Sequence, residues 1–287
     1  MDRSVLVTGA GGCMGRAVCA ALESAGWKVW RLARRPAANS IAADLCDPDS
    51  LERAAPHLTP GAVIHLAALL PGISAADPNL HANKMMLDNL MRWIKPRGLA
   101  ACLFASGCNV YGNAAGPCTE ETAPAPLDGY AEGKLAAEHA LTDGPWRSVS
   151  LRIAAPYGPH PGVPTVVHRF LKMASAGELI TLYGSGARTQ HFVHVADVGQ
   201  AFLLALEKEA AGVFNIAGPS PVSMAQLAAA CIRVTGSCSA IRCTGEDPQE
   251  SYRGWFPWDK ARAALGYTPL MSLDEGLALT AREMGLL

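Results

Sequence analysis

Short apolar runs alternate with segments of helical periodicity through the first half of the chain. The apolar runs have the length of buried strands and lie at Val5–Thr8, Lys28–Leu32, Ile41–Ala43, Ala62–Ala67, Ala100–Ser106 and Ser148–Ile153. The segments between them predict helices, at Met14–Leu22, after an N-cap at Asp47 with Pro48 in the first turn, at Asn79–Ile94 and at Tyr130–Leu141. This alternation is typical of an α/β fold, in which a Rossmann-type, doubly wound parallel sheet is covered by helices on both faces.

The first strand runs directly into a glycine-rich turn, and a helix follows it. Glycines at the spacing G-x-x-G-x-x-G allow a tight turn and let the backbone approach a diphosphate closely. The free N–H groups and the positive dipole end of the following helix favour the same negative charge. The turn therefore predicts a bound dinucleotide, held by Gly9, Gly12, Cys13, Met14 and Gly15.

The regular alternation of strands and helices ends after Pro156, where prolines and glycines cluster as far as Pro164. Further helices are predicted among short strands, at 165–176, 197–207, 223–234 and 272–284. We therefore predict two domains. Residues 1–155, with about 190–216, form the dinucleotide-binding domain. Residues 156–189 and 217–287 form a smaller C-terminal α/β substrate-binding domain that closes over the cofactor.

Composition excludes several other function classes. Lys and Arg total 24 against 25 Asp and Glu, and no basic block stands out, which argues against a nucleic-acid partner. No apolar run approaches membrane-spanning length, and the first strand begins too early to leave room for a signal peptide. The 9 cysteines include no C-x-x-C pair. They predict reduced, buried thiols in a cytoplasmic protein without disulfides or a metal site.

Tyr130 and Lys134 lie at the start of a predicted helix. Their four-residue spacing places them on one helical face. The pKa of free tyrosine is about 10, which is too high for ready proton exchange near neutrality. A neighbouring ammonium favours the phenolate and lowers that pKa. Downstream of a dinucleotide loop, the pair therefore predicts acid–base catalysis, with Tyr130 as the group that exchanges the proton.

With these motifs the chain resembles the extended short-chain dehydrogenase/reductase family, which includes nucleotide-sugar epimerases, dehydratases and ketoreductases. Further matching segments span nearly the whole chain: Asp44-Leu45, His65-Leu66-Ala67-Ala68, Asn83, Val110-Tyr111-Gly112, Pro156-Tyr157-Gly158-Pro159, Phe192–Val198 and Phe214–Gly218. The resemblance implies that Lys134 also binds the nicotinamide ribose and that Pro156 lies beside the nicotinamide. It further implies that Asp44 and Leu45 meet the adenine, that Ala67 packs along the cofactor, and that the later helices can build a homodimer.

One position departs from the family pattern. The family places Ser or Thr four residues before the tyrosine of Val-Tyr-Gly, where the hydroxyl orients the reacting carbonyl, and this chain has Gly107 there. Ser106 is one residue early, so a regular strand directs it to the opposite face. A local kink at Gly107 would turn it inward. Ser106, the amide of Asn109 and a water molecule all stay open as the missing donor, with Asn109 as a substrate-binding residue.

The end of the second strand discriminates between the two nicotinamide dinucleotides. NAD-selective sites carry an acid here that accepts ribose hydroxyl groups. Ala33 stands in its place, and Arg34 and Arg35 follow. An acid would repel a 2′-phosphate, whereas guanidinium groups bind it through charge-assisted hydrogen bonds of about 1.5–3 kcal/mol each. We therefore predict NADP(H) as the cofactor, with NAD as the alternative.

The sequence says less about the identity of the substrate than about the cofactor. Nucleotide-sugar enzymes of the family usually carry Arg where this chain has Gln190, and the nearest cation here is Arg188. Either Arg188 binds a substrate diphosphate or the small-molecule substrate has none. We predict an NADP(H)-dependent oxidoreductase, acting as a ketone or sugar-type carbonyl reductase or as an alcohol dehydrogenase. The alternatives are a nucleotide-sugar epimerase with tightly held cofactor and a non-catalytic NADP(H)-binding regulator.

Overall fold

The computed structural model describes residues 3–70, 78–113, 115–159 and 164–287. Its strands are β1 (Ser4–Thr8), β2 (Lys28–Ala33), β3 (Ser40–Ala42), β4 (Ala62–His65), β5 (Ala101–Gly107), β6 (Arg147–Ile153), β7 (Ala155–Tyr157), β8 (Ile180–Tyr183), β9 (Thr189–Gln190), β10 (Phe192–His194), β11 (Gly212–Ile216), β12 (Val222–Ser223) and β13 (Ile241–Thr244). Its α-helices are α1 (Cys13–Ser24), α2 (Ser50–Ala54), α3 (Pro78–Ile94), α4 (Gly129–Thr142), α5 (Val166–Ser175), α6 (Val195–Glu207), α7 (Met224–Thr235), α8 (Asp259–Leu265) and α9 (Leu273–Glu283).

Seven of these strands form one sheet in the order β3-β2-β1-β4-β5-β6-β11, and every neighbouring pair is parallel. Helices α1, α6 and α8 pack on one face, and α2, α3 and α4 pack on the other. The predicted doubly wound α/β fold is confirmed. The strand order reverses between β1 and β4, and in such sheets ligands bind in the crevice at the carboxyl ends of these strands.

Two local predictions near this crevice are wrong. Asp47 does not cap a helix, because its carboxylate accepts the N–H of Asp49 within a turn, and α2 begins only after that turn. Strand β4 ends two residues before the predicted Ala67. The N–H groups of Leu66 and Ala67 donate to Thr8 Oγ1 instead of continuing the ladder. The chain therefore leaves the sheet early at β4 and opens the crevice.

The second half builds a separate apolar cluster from α5, α7, α9 and the strands beside them. Three small sheets pair β7 with β10, β9 with β12 and β8 with β13, while β11 joins the main sheet. Residues 160–163 of the proline- and glycine-rich stretch lie outside the described residues. The domain limits and the homodimer stay predictions. None of the helices that the structure describes is long and apolar enough to cross a membrane.

Candidate functional site

The glycine-rich turn joins β1 to α1 at the point where the strand order reverses. Gly9 has a φ of +67°, and a Cβ there would lie 2.8 Å from the backbone nitrogen of Ala67. A Cβ on Gly15 would overlap the carbonyl oxygen of Gly9 and lie 2.8 Å from the Cα of Ala10. Only glycine fits at both positions. The turn consequently packs tightly against the segment that follows β4 and leaves a cradle at the amino end of α1, which fits a diphosphate.

A cleft runs from this turn along the carboxyl ends of β2 and β4. Its lining brings together six residues predicted to bind the cofactor: Gly9, Gly12, Arg34, Asp44, Leu45 and Ala67. The rest of the described lining is mostly apolar: Leu32, Ala43, Cys46, Leu66, Ala68, Leu69 and Met86. Leu66 and Ala68 belong to a segment that matches the family, and the other five were not predicted. A diphosphate cradle continued by an apolar slot fits a dinucleotide.

Two charged groups border this cleft. Asp44 is held in place because its N–H donates to Ser50 Oγ and its carboxylate accepts the N–H of Cys46. Arg34 and Arg35 are both exposed, but only Arg34 belongs to the described lining. Of the two predicted phosphate ligands, the structure therefore places Arg34, and not Arg35, in the cleft that would hold the cofactor.

The remaining predicted cofactor residues lie around the glycine-rich turn. The Cys13 thiol donates a hydrogen bond to the carbonyl of Pro159 at 2.8 Å and ties the turn to the segment after β7. Met14 packs against the apolar core beneath α1. Pro156 lies in β7 and pairs with Val193 of β10. Their roles toward the cofactor stay predictions.

A second cleft lies between α3 and α4 and meets the first at Ala67 and Ala68, which line both. Tyr130 and Lys134 line it together with Phe104. The Lys134 Nζ donates to the carbonyl oxygen of Ala105 at 2.7 Å and lies 5.5 Å from the centre of the Tyr130 ring. The predicted pair therefore faces one cleft at the carboxyl end of β5, beside the dinucleotide cleft.

The pKa values of this pair differ from the expectation. Burial raises the pKa of Tyr130, and the charge of Asp128 adds to the shift. Burial also lowers the pKa of Lys134 to about 8, although the charge of Glu138 raises it. The predicted lowering of the Tyr130 pKa by Lys134 is wrong for the protein alone, because desolvation and the charge of Asp128 both disfavour the phenolate. The phenol stays protonated, which suits an acid.

Ser106 is engaged elsewhere. Its hydroxyl donates to Glu138 Oε1 at 2.5 Å, and both residues are buried. The suggested kink is absent at Gly107, whose backbone stays extended with φ −143° and ψ 149°. Ser106 therefore keeps the orientation of a regular strand residue, and its hydroxyl is engaged by Glu138.

Glu138 belongs to a buried polar network that the sequence analysis missed. Arg152 binds its carboxylate through two hydrogen bonds of 3.0 and 2.7 Å, and the two side chains are 6% and 4% exposed. Arg152 also donates to the Tyr111 hydroxyl at 3.0 Å, and that hydroxyl donates to Asn215 at 2.8 Å. The sequence could have indicated Glu138, because it follows Lys134 by four residues on the same helix. It could not indicate Arg152, because Arg152 lies on β6 and meets Glu138 only in the folded protein.

The family model described as "NAD dependent epimerase/dehydratase family" matches residues 5–217. The chain belongs to this family. The expected resemblance to the extended short-chain dehydrogenase/reductases is confirmed, and the protein is an enzyme of that type, which uses a nicotinamide dinucleotide.

Three relatives represent the similarity. UDP-glucose 4-epimerase from Thermotoga maritima, solved with UDP-glucose, is 27% identical, with 98% of each chain covered and a TM-score of 0.89. UDP-glucose 4-epimerase from Thermus thermophilus, solved with NAD, is 26% identical, with 98% of each chain covered and a TM-score of 0.86. The dTDP-4-dehydro-6-deoxy-D-allose reductase of Streptomyces bikiniensis is 27% identical, over 98% of this chain and 95% of the relative.

Within this member of the NAD dependent epimerase/dehydratase family, the predicted substrate residue Arg188 is already paired. Its Nε lies 3.0 Å from Asp247 Oδ2, and its Nη1 donates to Gln249 at 2.9 Å. Arg253, which the sequence analysis did not single out, forms a parallel bridge with Thr189. Arg188 therefore directly precedes the strand that contains Gln190 and is paired with a carboxylate. The Arg253 guanidinium donates to the backbone carbonyls of Glu250 and Tyr252.

Proposed function

We propose that the protein is an NADP(H)-dependent reductase of a ketone or sugar-type carbonyl. The observation that carries the proposal is Tyr130 beside the partly buried Lys134, in a cleft continuous with the dinucleotide cleft. Tyr130 has a raised pKa, and Lys134 lies 5.5 Å from its ring centre. Arg34 in the dinucleotide cleft supports NADP(H), since no acid stands at the end of β2 to repel a 2′-phosphate.

When bound, the nicotinamide supplies the hydride. The side chains of the protein provide position and charge. Tyr130 donates its phenolic proton to the carbonyl oxygen as that oxygen gains charge. Lys134, held by the carbonyl of Ala105 at 2.7 Å, stabilises the phenolate that the transfer leaves on Tyr130. The phenol of Tyr130 is protonated at neutral pH, and this is the form that the direction of reduction needs.

We expect Arg34→Asp to weaken NADPH binding about 10- to 150-fold, the loss of one charge-assisted bond of about 1.5–3 kcal/mol. The affinity for NADH should change little, because NADH lacks the 2′-phosphate. Titration of each variant with both dinucleotides, followed by tryptophan fluorescence, measures the two constants. Arg35→Asp is the matched control, since Arg35 is exposed and lies outside the described lining. Equal losses for NADPH and NADH in Arg34→Asp contradict the prediction.

The pH dependence of reduction should follow Lys134. Its pKa of about 8 means that the ammonium is charged below this pH and is lost above it, while Tyr130 keeps its proton longer. We expect kcat/KM to be level below about pH 8 and to fall above it, which a stopped-flow or steady-state pH profile measures. Lys134→Arg, whose guanidinium stays charged, should move the fall to higher pH. A wild-type profile that stays level to about pH 10, the pKa of free tyrosine, contradicts this assignment.

A nucleotide-sugar epimerase is the second candidate function. The names of two relatives favour it, and so does Arg188, two positions before Gln190, as a cation for a diphosphate. The Asp247 carboxylate on Arg188 disfavours it, because the guanidinium would have to exchange partners.

Steady NADPH consumption distinguishes the two. The purified enzyme is mixed with NADPH and one carbonyl compound at a time: a simple ketone, a keto-sugar or a nucleotide-linked 4-keto-sugar. The absorbance of NADPH is then followed. A reductase consumes NADPH in proportion to the carbonyl compound reduced. An epimerase interconverts UDP-sugars with no added cofactor and no net consumption, and that result would replace the reductase proposal.

A further inference from the structure

The chain that leaves β6 passes the ends of two neighbouring strands before it reaches the glycine-rich turn. β7 follows β6 after a single residue, and Pro159 lies two residues beyond β7. The carbonyl of Pro159 accepts the thiol of Cys13, the first residue of α1, which follows β1. In the main sheet, β4 and β5 lie between β1 and β6. Residues 154–159 therefore run along the carboxyl edge of the sheet, past β5 and β4, where Tyr130 and Lys134 face their cleft.

Two consecutive carbonyl groups of this segment accept side-chain hydrogen bonds from different parts of the protein. The Cys13 thiol, at the glycine-rich turn, donates to the carbonyl of Pro159 at 2.8 Å. His168 of α5 donates through Nε2 to the carbonyl of Gly158 at 2.7 Å. A Cβ on Gly158 would lie 2.4 Å from Cγ2 of Val195, the first residue of α6, so the segment also packs closely there. Contacts from α1, α5 and α6 thus hold these two residues in place.

His168 is a neutral imidazole with a defined tautomer. Its Nδ1 accepts the N–H of Thr165 at 3.2 Å, in a capping box at the start of α5, so Nδ1 carries no hydrogen. The hydrogen is therefore on Nε2, the atom that donates to the carbonyl of Gly158. The side chain is buried, and burial lowers its pKa, although the hydrogen bond to Gly158 raises it. Both ring nitrogens are thus occupied, because one caps the helix and the other holds the segment.

We propose that His168 and Cys13 are positioning residues, which hold the segment Gly158–Pro159 as a wall of the crevice beside the nicotinamide half of the cofactor. This inference rests on the proposed function. With the diphosphate at the start of α1 and the adenosine half beside β2 at Arg34, the other half of a dinucleotide extends toward β5 and meets this segment. Neither side chain exchanges a proton with the substrate. A wall displaced by about 1 Å can lower a rate about 10²-fold, because the reacting atoms lose their alignment.

Replacement of His168 tests this wall without touching Tyr130 or Lys134. His168→Leu should lower kcat about 10- to 10²-fold, because the carbonyl of Gly158 loses its donor. Calorimetry should show NADPH bound at least about threefold more weakly, while adenosine 2′,5′-bisphosphate, which lacks the nicotinamide half, binds within about twofold of the wild type. His168→Gln should stay within about threefold of the wild-type kcat, because its amide can accept from Thr165 and donate to Gly158.

Thr165→Ala is the matched control for His168→Leu. It weakens the cap of α5 but leaves the bond from His168 to Gly158, so the melting temperature should fall while kcat stays within about twofold of the wild type.

Cys13 supplies a second test that does not depend on the folding of His168→Leu. Cys13→Ala removes the donor to Pro159 and should lower kcat and the NADPH affinity in the same direction. Cys13→Ser retains a donor and should stay within about threefold of the wild type in both. Cys19→Ala, at a buried position on the same helix, is the control and should leave kcat unchanged.

A folded His168→Leu that keeps kcat within about threefold of the wild type overturns the proposal. So does an equal loss of kcat in His168→Gln or Thr165→Ala, and so does an equal loss of affinity for NADPH and the bisphosphate. Where His168→Leu does not fold, wild-type kcat in Cys13→Ala overturns it. In all these cases, carbonyl-dependent NADPH oxidation that is lost in Tyr130→Phe still supports the proposed function. A wild type without this oxidation overturns both.

Discussion

Tyr130→Phe is expected to lower kcat for carbonyl reduction about 10²- to 10⁴-fold, the contribution that a positioned general acid usually makes. The change removes only the hydroxyl that carries the transferred proton. The ring still packs in the cleft near Lys134, whose Nζ lies 5.5 Å from the ring centre. The affinity for NADPH should therefore stay within about threefold of the wild type, since the loss concerns the transition state. Steady-state kinetics with NADPH and the best carbonyl substrate measure both quantities.

Tyr183→Phe is the matched control, because Tyr183 is 70% exposed on β8, outside both clefts as described. It should leave kcat and KM unchanged. If Tyr130→Phe keeps wild-type turnover, then Tyr130 is not the proton donor. A protein that binds NADPH tightly but has no turnover to lose would instead favour the non-catalytic regulator.

The second large effect concerns stability. Glu138→Ala should lower the free energy of unfolding by about 3–5 kcal/mol, because it leaves the buried guanidinium of Arg152 without a counter-charge. The pair is joined by hydrogen bonds of 3.0 and 2.7 Å, and both side chains are nearly fully buried. Urea unfolding followed by circular dichroism measures the difference. Glu132→Ala, at an exposed position on the same helix, should change the free energy of unfolding by less than about 0.5 kcal/mol.

Two milder variants keep this test informative if Glu138→Ala does not fold. Ser106→Ala removes one hydrogen bond to Glu138 and should cost about 1 kcal/mol, with little effect on kcat. Glu138→Gln removes the charge that raises the pKa of Lys134, so the fall in kcat/KM should move to lower pH. A merely structural role for Glu138 would leave that pH profile unchanged. Full stability in Glu138→Gln and Ser106→Ala would contradict the importance of the network.

The site could be predicted from the sequence wherever its geometry is local. Gly9 and Gly15 were readable because a tight turn between a strand and a helix needs glycine whatever surrounds it. Tyr130 and Lys134 were readable because a four-residue step in a helix fixes their common face. The strand pattern was equally informative, since apolar runs separated by helices lead to a parallel sheet. The end of β4 was missed because Thr8, far away in the sequence, takes the N–H groups of Leu66 and Ala67.

The local sequence pattern does not decide which group replaces the missing donor at Gly107. The sequence offered Ser106, Asn109 and water for the missing donor at Gly107, and backbone periodicity alone could not choose among them. The tertiary structure pairs Ser106 with Glu138, which Arg152 on β6 holds from the other side. It also folds the Asn109 amide over Gly107. The first contact depends on which elements become neighbours, whereas the second joins residues two positions apart where β5 ends.

The sequence by itself therefore determined the parallel sheet, the dinucleotide turn, the shared face of Tyr130 and Lys134, and the absence of an acid after β2. These features depend on backbone conformation and residue spacing, which act over a few residues. Only the tertiary structure decided that Arg34 lines the cleft while Arg35 does not, and that the pKa of Tyr130 is raised. Those outcomes depend on desolvation and on partners distant in the chain, so they exist only once the elements have packed.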